Sequence, residues 1–347
     1  MISCIGHNIL SPLANGSEAN YRAVMAGETA LRLYTDRFAS IEPCYASLFA
    51  DPQSFVDLCI RSAEEAIRQA NIAADDRRVI FILSTTKGDN LDLLTPAQTI
   101  VRHFGNPNAP IVVSNACTSG VCAQLTAMRL LNAGLFDTAI VIGCDLQTPF
   151  IISGFQSFKA LSQEACRPFD AERQGLNLGE AAATIIWSTR HAGRWHLLAG
   201  SNHNDANHIS GPSRTGEGLY RCINDLISAS AQGANAIAML SVHGTATNYN
   251  DEMESIAIHR AGLDATPICA LKGYYGHTMG AAGVVETIIS LLCLEHQQMP
   301  AAKGFEKRGT SYALNISNEP RAIHGQRLIK MLSGFGGTNA AILLECE

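Results

Sequence analysis

The chain of 347 residues predicts an α/β fold made of two similar halves. Three observations carry that reading. Short, wholly apolar runs of strand length alternate with longer segments of helical period, as in sheets covered by helices. The order of elements repeats after a boundary near residue 192, dividing the chain into 1–191 and 192–347. Finally, 47% of residues are apolar and only 16% charged, against about 25% charged in an average soluble domain. That shortfall predicts surface covered by something other than water, with a dimer as the first candidate.

The opening strand is expected at residues 2–6. Apolar residues then recur at 56, 59/60, 63, 66/67 and 70, the helical period, and Asn71 can end that helix. Buried strands at 79–83 and 111–113 follow. A helix is read over 118–132 with Gly134 just beyond it, and further strands at 138–144 (TAIVIGC) and 183–187 complete the first half. A loop rich in Gly, Arg and Asp, 163–179, separates the last two.

The second half runs in the same order. A strand at 196–199, a helix at 217–231, a strand at 236–242 and a helix at 252–261 lead to a strand at 268–271 and a helix at 281–296. Three strands, 314–316, 328–332 and 340–344, end the chain. No low-complexity tract or repeat of 20–50 residues interrupts this pattern.

Charge and cysteine usage exclude several function classes. With 25 Lys and Arg against 31 Asp and Glu, the net charge is −6, so no basic field exists to attract nucleic acid. The 11 cysteines are odd in number, form no CxxC pair and lie mostly in apolar runs, which suits reduced thiols in the cytoplasm. The first ten residues lack a basic segment followed by an apolar stretch, and no window reaches 18 uninterrupted apolar residues, so neither secretion nor membrane spanning has support.

Four segments can carry chemistry. In Ser114-Asn115-Ala116-Cys117-Thr118-Ser119-Gly120 a buried strand turns into a helix. That junction puts the Cys117 sulfur at a helix N-terminus, where the dipole and unpaired amides favour thiolate and can receive an oxyanion. The same cysteine could equally be a packing residue, as most of the other ten are read to be. Val242-His243-Gly244-Thr245-Ala246-Thr247 places a histidine at the end of an apolar strand, where ligands bind in α/β sheets. A structural, hydrogen-bonded histidine would look alike. The third, Lys272-Gly273-Tyr274-Tyr275-Gly276-His277-Thr278-Met279-Gly280, is a glycine-rich turn with neither the P-loop ending nor the GxGxxG fingerprint. In the fourth, Ser333-Gly334-Phe335-Gly336-Gly337-Thr338-Asn339, glycines would let backbone approach a reacting group or simply form a hairpin turn.

A cysteine, two histidines and a lysine on such strand ends point to thiolate chemistry on a carbonyl. Cys117, His243 and His277 could alternatively be three metal ligands. The chain lacks the close-spaced ligand pair common in zinc sites, so no metal is expected.

Together these segments resemble the β-ketoacyl-acyl carrier protein synthases, the elongating condensing enzymes of fatty acid and polyketide synthesis. The matching stretches are ACTSG at 116–120, RPFDAERQGLNLGE at 167–180, HGTATNYNDEMES at 243–255, KGYYGHTMGAAGVVE at 272–286 and SGFGGTNAAILL at 333–344, in the family's order. The resemblance implies the thiolase fold, two βαβαβαββ halves in five αβαβα layers, assembled as a dimer. It makes Cys117 the acyl-accepting nucleophile, and His243 and His277 the pair that holds the malonyl thioester carbonyl during decarboxylation. Lys272 would support that pair electrostatically with the acidic Glu254 near it. The amides of Cys117 and Phe335 would form the oxyanion hole, Phe335 would also gate the acyl pocket, and Thr245 and Thr247 would bind the phosphopantetheine arm. The implied partners are acyl carrier protein and a second copy of the chain, or another ketosynthase-like subunit if the chain is a non-catalytic partner that sets chain length. No cofactor is implied beyond the pantetheine that carries the substrates. The chain departs from the family pattern in a short segment before Cys117, in Ser333 where Phe is common, and in Ala181-Ala182-Ala183 where Gly-Ala-Gly is common.

Overall fold

A computed structural model describes residues 1–38, 42–205, 207, 211–230 and 232–347. The main sheet has ten strands in the spatial order Ile268–Cys269, Ile237–Ser241, Arg327–Gly334, Thr338–Cys346, Trp195–Asn204, Ser3–Leu10, Ala181–Ser188, Thr138–Asp145, Val79–Ser84, Ile111–Val113. Its two five-stranded halves follow one pattern. Ala181–Ser188 runs antiparallel between Ser3–Leu10 and Thr138–Asp145, with Val79–Ser84 and Ile111–Val113 parallel beyond. Thr338–Cys346 runs antiparallel between Trp195–Asn204 and Arg327–Gly334, with Ile237–Ser241 and Ile268–Cys269 parallel beyond. The halves join through a short pairing of their first strands, Ser3 with His196 and Cys4 with Trp195.

The apolar strands Val79–Ser84 and Thr138–Asp145 are buried on both faces because helices lie on both sides, whereas Ile111–Val113, expected to be buried, is only half-buried because it lies at the sheet edge. Ser119–Asn132 and Ala282–His296 fill the space between the half-sheets and belong to one core cluster with residues of both halves. Phe55–Ala70 and Leu94–His103 cover the outer face of the first half, and Glu217–Ala229 and Asn248–Arg260 that of the second. This is the αβαβα layering. The two central helices approach so closely that a Cβ on Gly120 would stand 2.7 Å from Gly283 Cα. Only glycine fits there. The stretch Met279–His296 is long and apolar enough to cross a membrane by composition, and 89% of it is buried inside the fold. It is the central core helix.

Local chemistry explains the element ends. Ser54 caps Phe55–Ala70 by accepting the Asp57 amide at 3.2 Å, and Asn71 ends that helix in the left-handed region at φ 50°. The expected helix at 252–261 begins earlier, at Asn248, because the Thr247 hydroxyl accepts the Asn250 amide at 3.4 Å. The helix expected over 217–231 ends at Ala229, and residue 231 lies outside the described residues. The strand expected at 314–316 does not form. Asn315 gives its carbonyl to Ile268 N–H and its N–H to the Asp264 carbonyl, each at 3.0 Å, but the neighbouring strand Ile268–Cys269 is too short to offer further ladder partners. Leu314 and Ile316 instead pack half-buried against the second half's outer core. Three helices, Ser17–Met25, Leu94–His103 and Pro149–Ser157, lie in stretches given no element from sequence. Leu178–Gly179, inside the expected loop, joins a small three-stranded sheet with Arg32–Tyr34 and Cys44–Ser47.

Candidate active site

The four segments meet at the C-terminal ends of the parallel strands. Cys117 follows Ile111–Val113, His243 follows Ile237–Ser241, Lys272 and His277 follow Ile268–Cys269, and Phe335 sits in the turn between Arg327–Gly334 and Thr338–Cys346. Three of these turns hold a non-glycine residue at positive φ: Ala116 at 47°, Ala246 at 63° and Met279 at 54°. Such conformations persist where surrounding packing enforces them, and they cluster at functional sites. A cavity of about 440 Å³ opens onto the group, lined among others by Cys117, His243, His277, Thr245, Phe155 and Phe335.

Cys117 Sγ and one ring nitrogen from each histidine all lie within 4.8 Å of one another. Burial pushes the Cys117 thiol up to about 11, although Lys272 and the amides of Phe335 and Cys117 pull it down. The helix terminus favours the thiolate, as expected from the sequence, and burial outweighs it. Those two amides nonetheless reach the sulfur. Gly334 permits this, since a Cβ there would stand 3.2 Å from the Cys117 nitrogen.

The imidazoles of His243 and His277 stand edge to face, with centroids 5.0 Å apart. His277 Nδ1 accepts the Met279 amide at 3.2 Å, so the neutral ring carries its proton on Nε2. That buried nitrogen has no hydrogen-bond partner among the described residues, nor does Nδ1 of His243. Burial holds both rings well below the usual histidine range, with Lys272 and Lys330 pushing the same way. A neutral imidazole with a free N–H, as His277 has, is a donor for a developing negative charge. The same tautomer argues against the metal reading, because a protonated Nε2 is not a ligand.

Lys272 is buried and donates to the His243 carbonyl at 2.6 Å and to Glu286 at 2.7 Å. Glu254, the acidic residue the resemblance implies near Lys272, is close enough for the Lys272 charge to pull its carboxyl down, and it also binds the histidine loop directly. Its carboxylate accepts the amides of His243 at 2.6 Å and Gly244 at 2.7 Å, plus the Asn250 side chain at 2.8 Å. It orients the histidine loop, while Glu286 takes the lysine. Lys330 donates to the other Glu286 oxygen at 2.5 Å. Glu286 and Lys330 were not singled out from sequence. Their signal was a charge flanked by apolar residues in the middle of the helix Ala282–His296 and of the strand Arg327–Gly334, which must find a partner when buried.

Behind His277 runs the loop at 167–180. His277 donates its amide to the Asn177 carbonyl at 2.7 Å, and Gly179 donates to the His277 carbonyl at 2.9 Å. Phe335 stacks on Phe155 at 5.7 Å and meets the edge of Phe158 at 5.9 Å, making an aromatic wall beside the cavity. The hydroxyls of Thr245 and Thr247 lie 2.9 Å apart on the cavity wall.

Comparison with known proteins points the same way. Residues 95–192 match the family described as "Beta-ketoacyl synthase, N-terminal domain" and residues 197–306 match "Beta-ketoacyl synthase, C-terminal domain". A putative polyketide beta-ketoacyl synthase 1 of Streptomyces halstedii is 30% identical over 72% of this chain and 64% of its own length. The 3-oxoacyl-[acyl-carrier-protein] synthase 2 of Rhizobium meliloti is 30% identical over 73% of this chain and 64% of its own. Thus the matched region spans 64% of the length of these relatives. Among solved structures, a ketosynthase in complex with its chain length factor from Xenorhabdus doucetiae superposes with a TM-score of 0.90 at 24% identity, covering 100% of this chain and 98% of that one. At that identity the likeness speaks for the fold.

Proposed function

We infer that this chain, which belongs to the β-ketoacyl synthase family, catalyses decarboxylating Claisen condensation between an acyl group on Cys117 and malonyl-acyl carrier protein. The observation that carries this reading is the convergence of the Cys117 sulfur with two neutral imidazoles within 4.8 Å. In the first half-reaction the Cys117 sulfur attacks an acyl thioester. The carbonyl oxygen turns toward the amides of Cys117 and Phe335, and the carrier thiol leaves with the proton. In the second, the bond from the malonyl α-carbon to its carboxylate breaks. Carbon dioxide departs, and the electron pair forms an enolate whose oxygen takes N–H donors from His243 and His277. The enolate carbon then attacks the acyl carbonyl, forming the carbon–carbon bond and releasing Cys117 thiolate. Thr245 and Thr247, on the cavity wall, are suited to hold the amides of a pantetheine arm. None of these steps calls for a cofactor of the enzyme's own.

Acyl carrier protein is the partner this chemistry requires, and the low charge content favours a dimer with a second copy or a related subunit. The test is incubation with acyl- and malonyl-carrier protein. A 3-oxoacyl product, lost in Cys117→Ala together with the acyl-enzyme mass shift, supports the reading. No product at any acyl length counts against it. Should the protein instead elute only as an inactive monomer and gain activity with a second ketosynthase subunit, it is a partner subunit.

A further inference from the structure

The lysine that supports the histidines has a buried companion. Lys330 is fully buried in the strand Arg327–Gly334. It donates to the carbonyls of Ser241 at 3.4 Å and Val242 at 3.2 Å, and to Glu286. Lys272 donates to the next carbonyl, that of His243, and to the other oxygen of the same carboxylate. Two ammonium groups therefore bind three successive carbonyls at the strand end that presents His243. Glu286 ties both of them to the helix Ala282–His296, which follows the His277 turn.

Resting on the condensing reading above, we propose that Lys330 is a second positioning residue of the site, which with Lys272 clamps Glu286 and the carbonyls of Ser241, Val242 and His243 so that the two histidines are held in mutual register. The nearby charges support an electrostatic share in this role. Two ammonium groups share one hydrogen-bonded carboxylate, with Glu254 the other acidic group near them, and both Lys272 and Lys330 disfavour protonation of the imidazoles. Burial would raise the Glu286 carboxyl, yet Lys272 and Lys330 together hold it below its usual range. The charged or titratable groups bearing on the two rings are Lys272, Lys330, Glu286, Glu254 and Cys117. Removing Lys330 leaves a neutral Lys272–Glu286 pair. Removing Glu286 would strand two buried cations, a far harsher change.

The variants are therefore Lys330→Met, uncharged and of similar length, and Lys330→Arg. Acylation of Cys117 is followed by mass and carbon dioxide release from malonyl-carrier protein is timed separately. In Lys330→Met, acylation is expected to stay near the parent rate while carbon dioxide release falls by about tenfold or more, as small misplacements of reacting groups do. Lys330→Arg should recover most of it. Equal carbon dioxide release in Lys330→Met and parent, or a parallel loss of both half-reactions with a lower Tm, would overturn the assignment. A second readout is independent of turnover. The ring signals of His243 and His277, followed by NMR with labelled histidine, should titrate at higher pH in Lys330→Met, and unchanged midpoints would equally overturn it. A parent that neither acylates nor decarboxylates would sink the condensing reading, and the ring titration would still decide the role of Lys330.

Discussion

Met279 donates its backbone N–H to Nδ1 of His277 at 3.2 Å, a bond between neighbours in one turn that decides which ring nitrogen carries the proton. It leaves Nε2–H free, buried and without a partner among the described residues. An unsatisfied buried donor is costly in the resting protein, and it is the donor that the enolate oxygen of the proposed decarboxylation would take.

Loss of that donor should be selective. His277→Ala is expected to lower carbon dioxide release from malonyl-carrier protein by about 10²–10³, the usual cost of removing one oxyanion donor, while acylation of Cys117 persists. Timed assays of the two half-reactions check this, and an equal loss in both would assign His277 to acyl transfer as well.

A buried thiol with its pKa pushed up to about 11 is protonated at neutral pH. Alkylation of Cys117 by iodoacetamide should therefore climb steadily between pH 7 and 10 without a plateau. Lys272→Met should slow it further, because the Lys272 charge favours the thiolate. A rate already level below pH 8 would show that the amides and the lysine outweigh burial.

Glu254 predicts a pH dependence of stability. Burial and the nearby Asp251 push its carboxyl up to about 7, despite the amides of Gly244 and His243. A carboxyl raised above its unfolded value stabilises the fold fully below the unfolded pKa, near 4.5, and that contribution fades as pH rises through the folded value. The Tm of the parent relative to Glu254→Gln should thus be highest near pH 4.5 and decline toward pH 7. Differential scanning calorimetry across that window checks the sign, and a difference that grows with pH would contradict it.

Packing of the two central helices gives a fourth expectation. In Gly120→Ala the new Cβ would meet Gly283 Cα at 2.7 Å and its nitrogen at 2.8 Å, both backbone atoms that cannot swing aside. Overpacking of this kind costs on the order of 1–3 kcal/mol, which would be read as a Tm lower by several degrees. Gly154→Ala is the control, since nothing stands within 4 Å of a Cβ there, and it should leave Tm unchanged or slightly raised. Equal effects of the two substitutions would contradict the close approach.

Much of the fold was legible because apolar runs and helical periods mark where strands and helices form. The strand Ile111–Val113 was placed to the residue, as was the end of the helix Phe55–Ala70 at Asn71. The helix Leu94–His103 was missed, with Asp92 rather than a residue at the helix start supplying the carboxylate for the first amides. The segment 314–316 looked like a strand because Leu314 and Ile316 flank a polar residue. Their apolar faces find a core without pairing.

What the sequence by itself determined is the set of candidate groups: Cys117, His243 and His277 each stand beside an apolar strand and a turn or helix that must follow it. Only the tertiary structure decided how they are held. The His243 carbonyl and Glu286 are brought to Lys272, and Glu286 to Lys330 from 44 positions away. These partners meet because the strands Ile237–Ser241 and Arg327–Gly334 lie side by side in the sheet and the helix Ala282–His296 packs on them. The thiol's raised pKa also arises there, since dryness is a property of packed neighbours and not of the residues beside Cys117 in sequence.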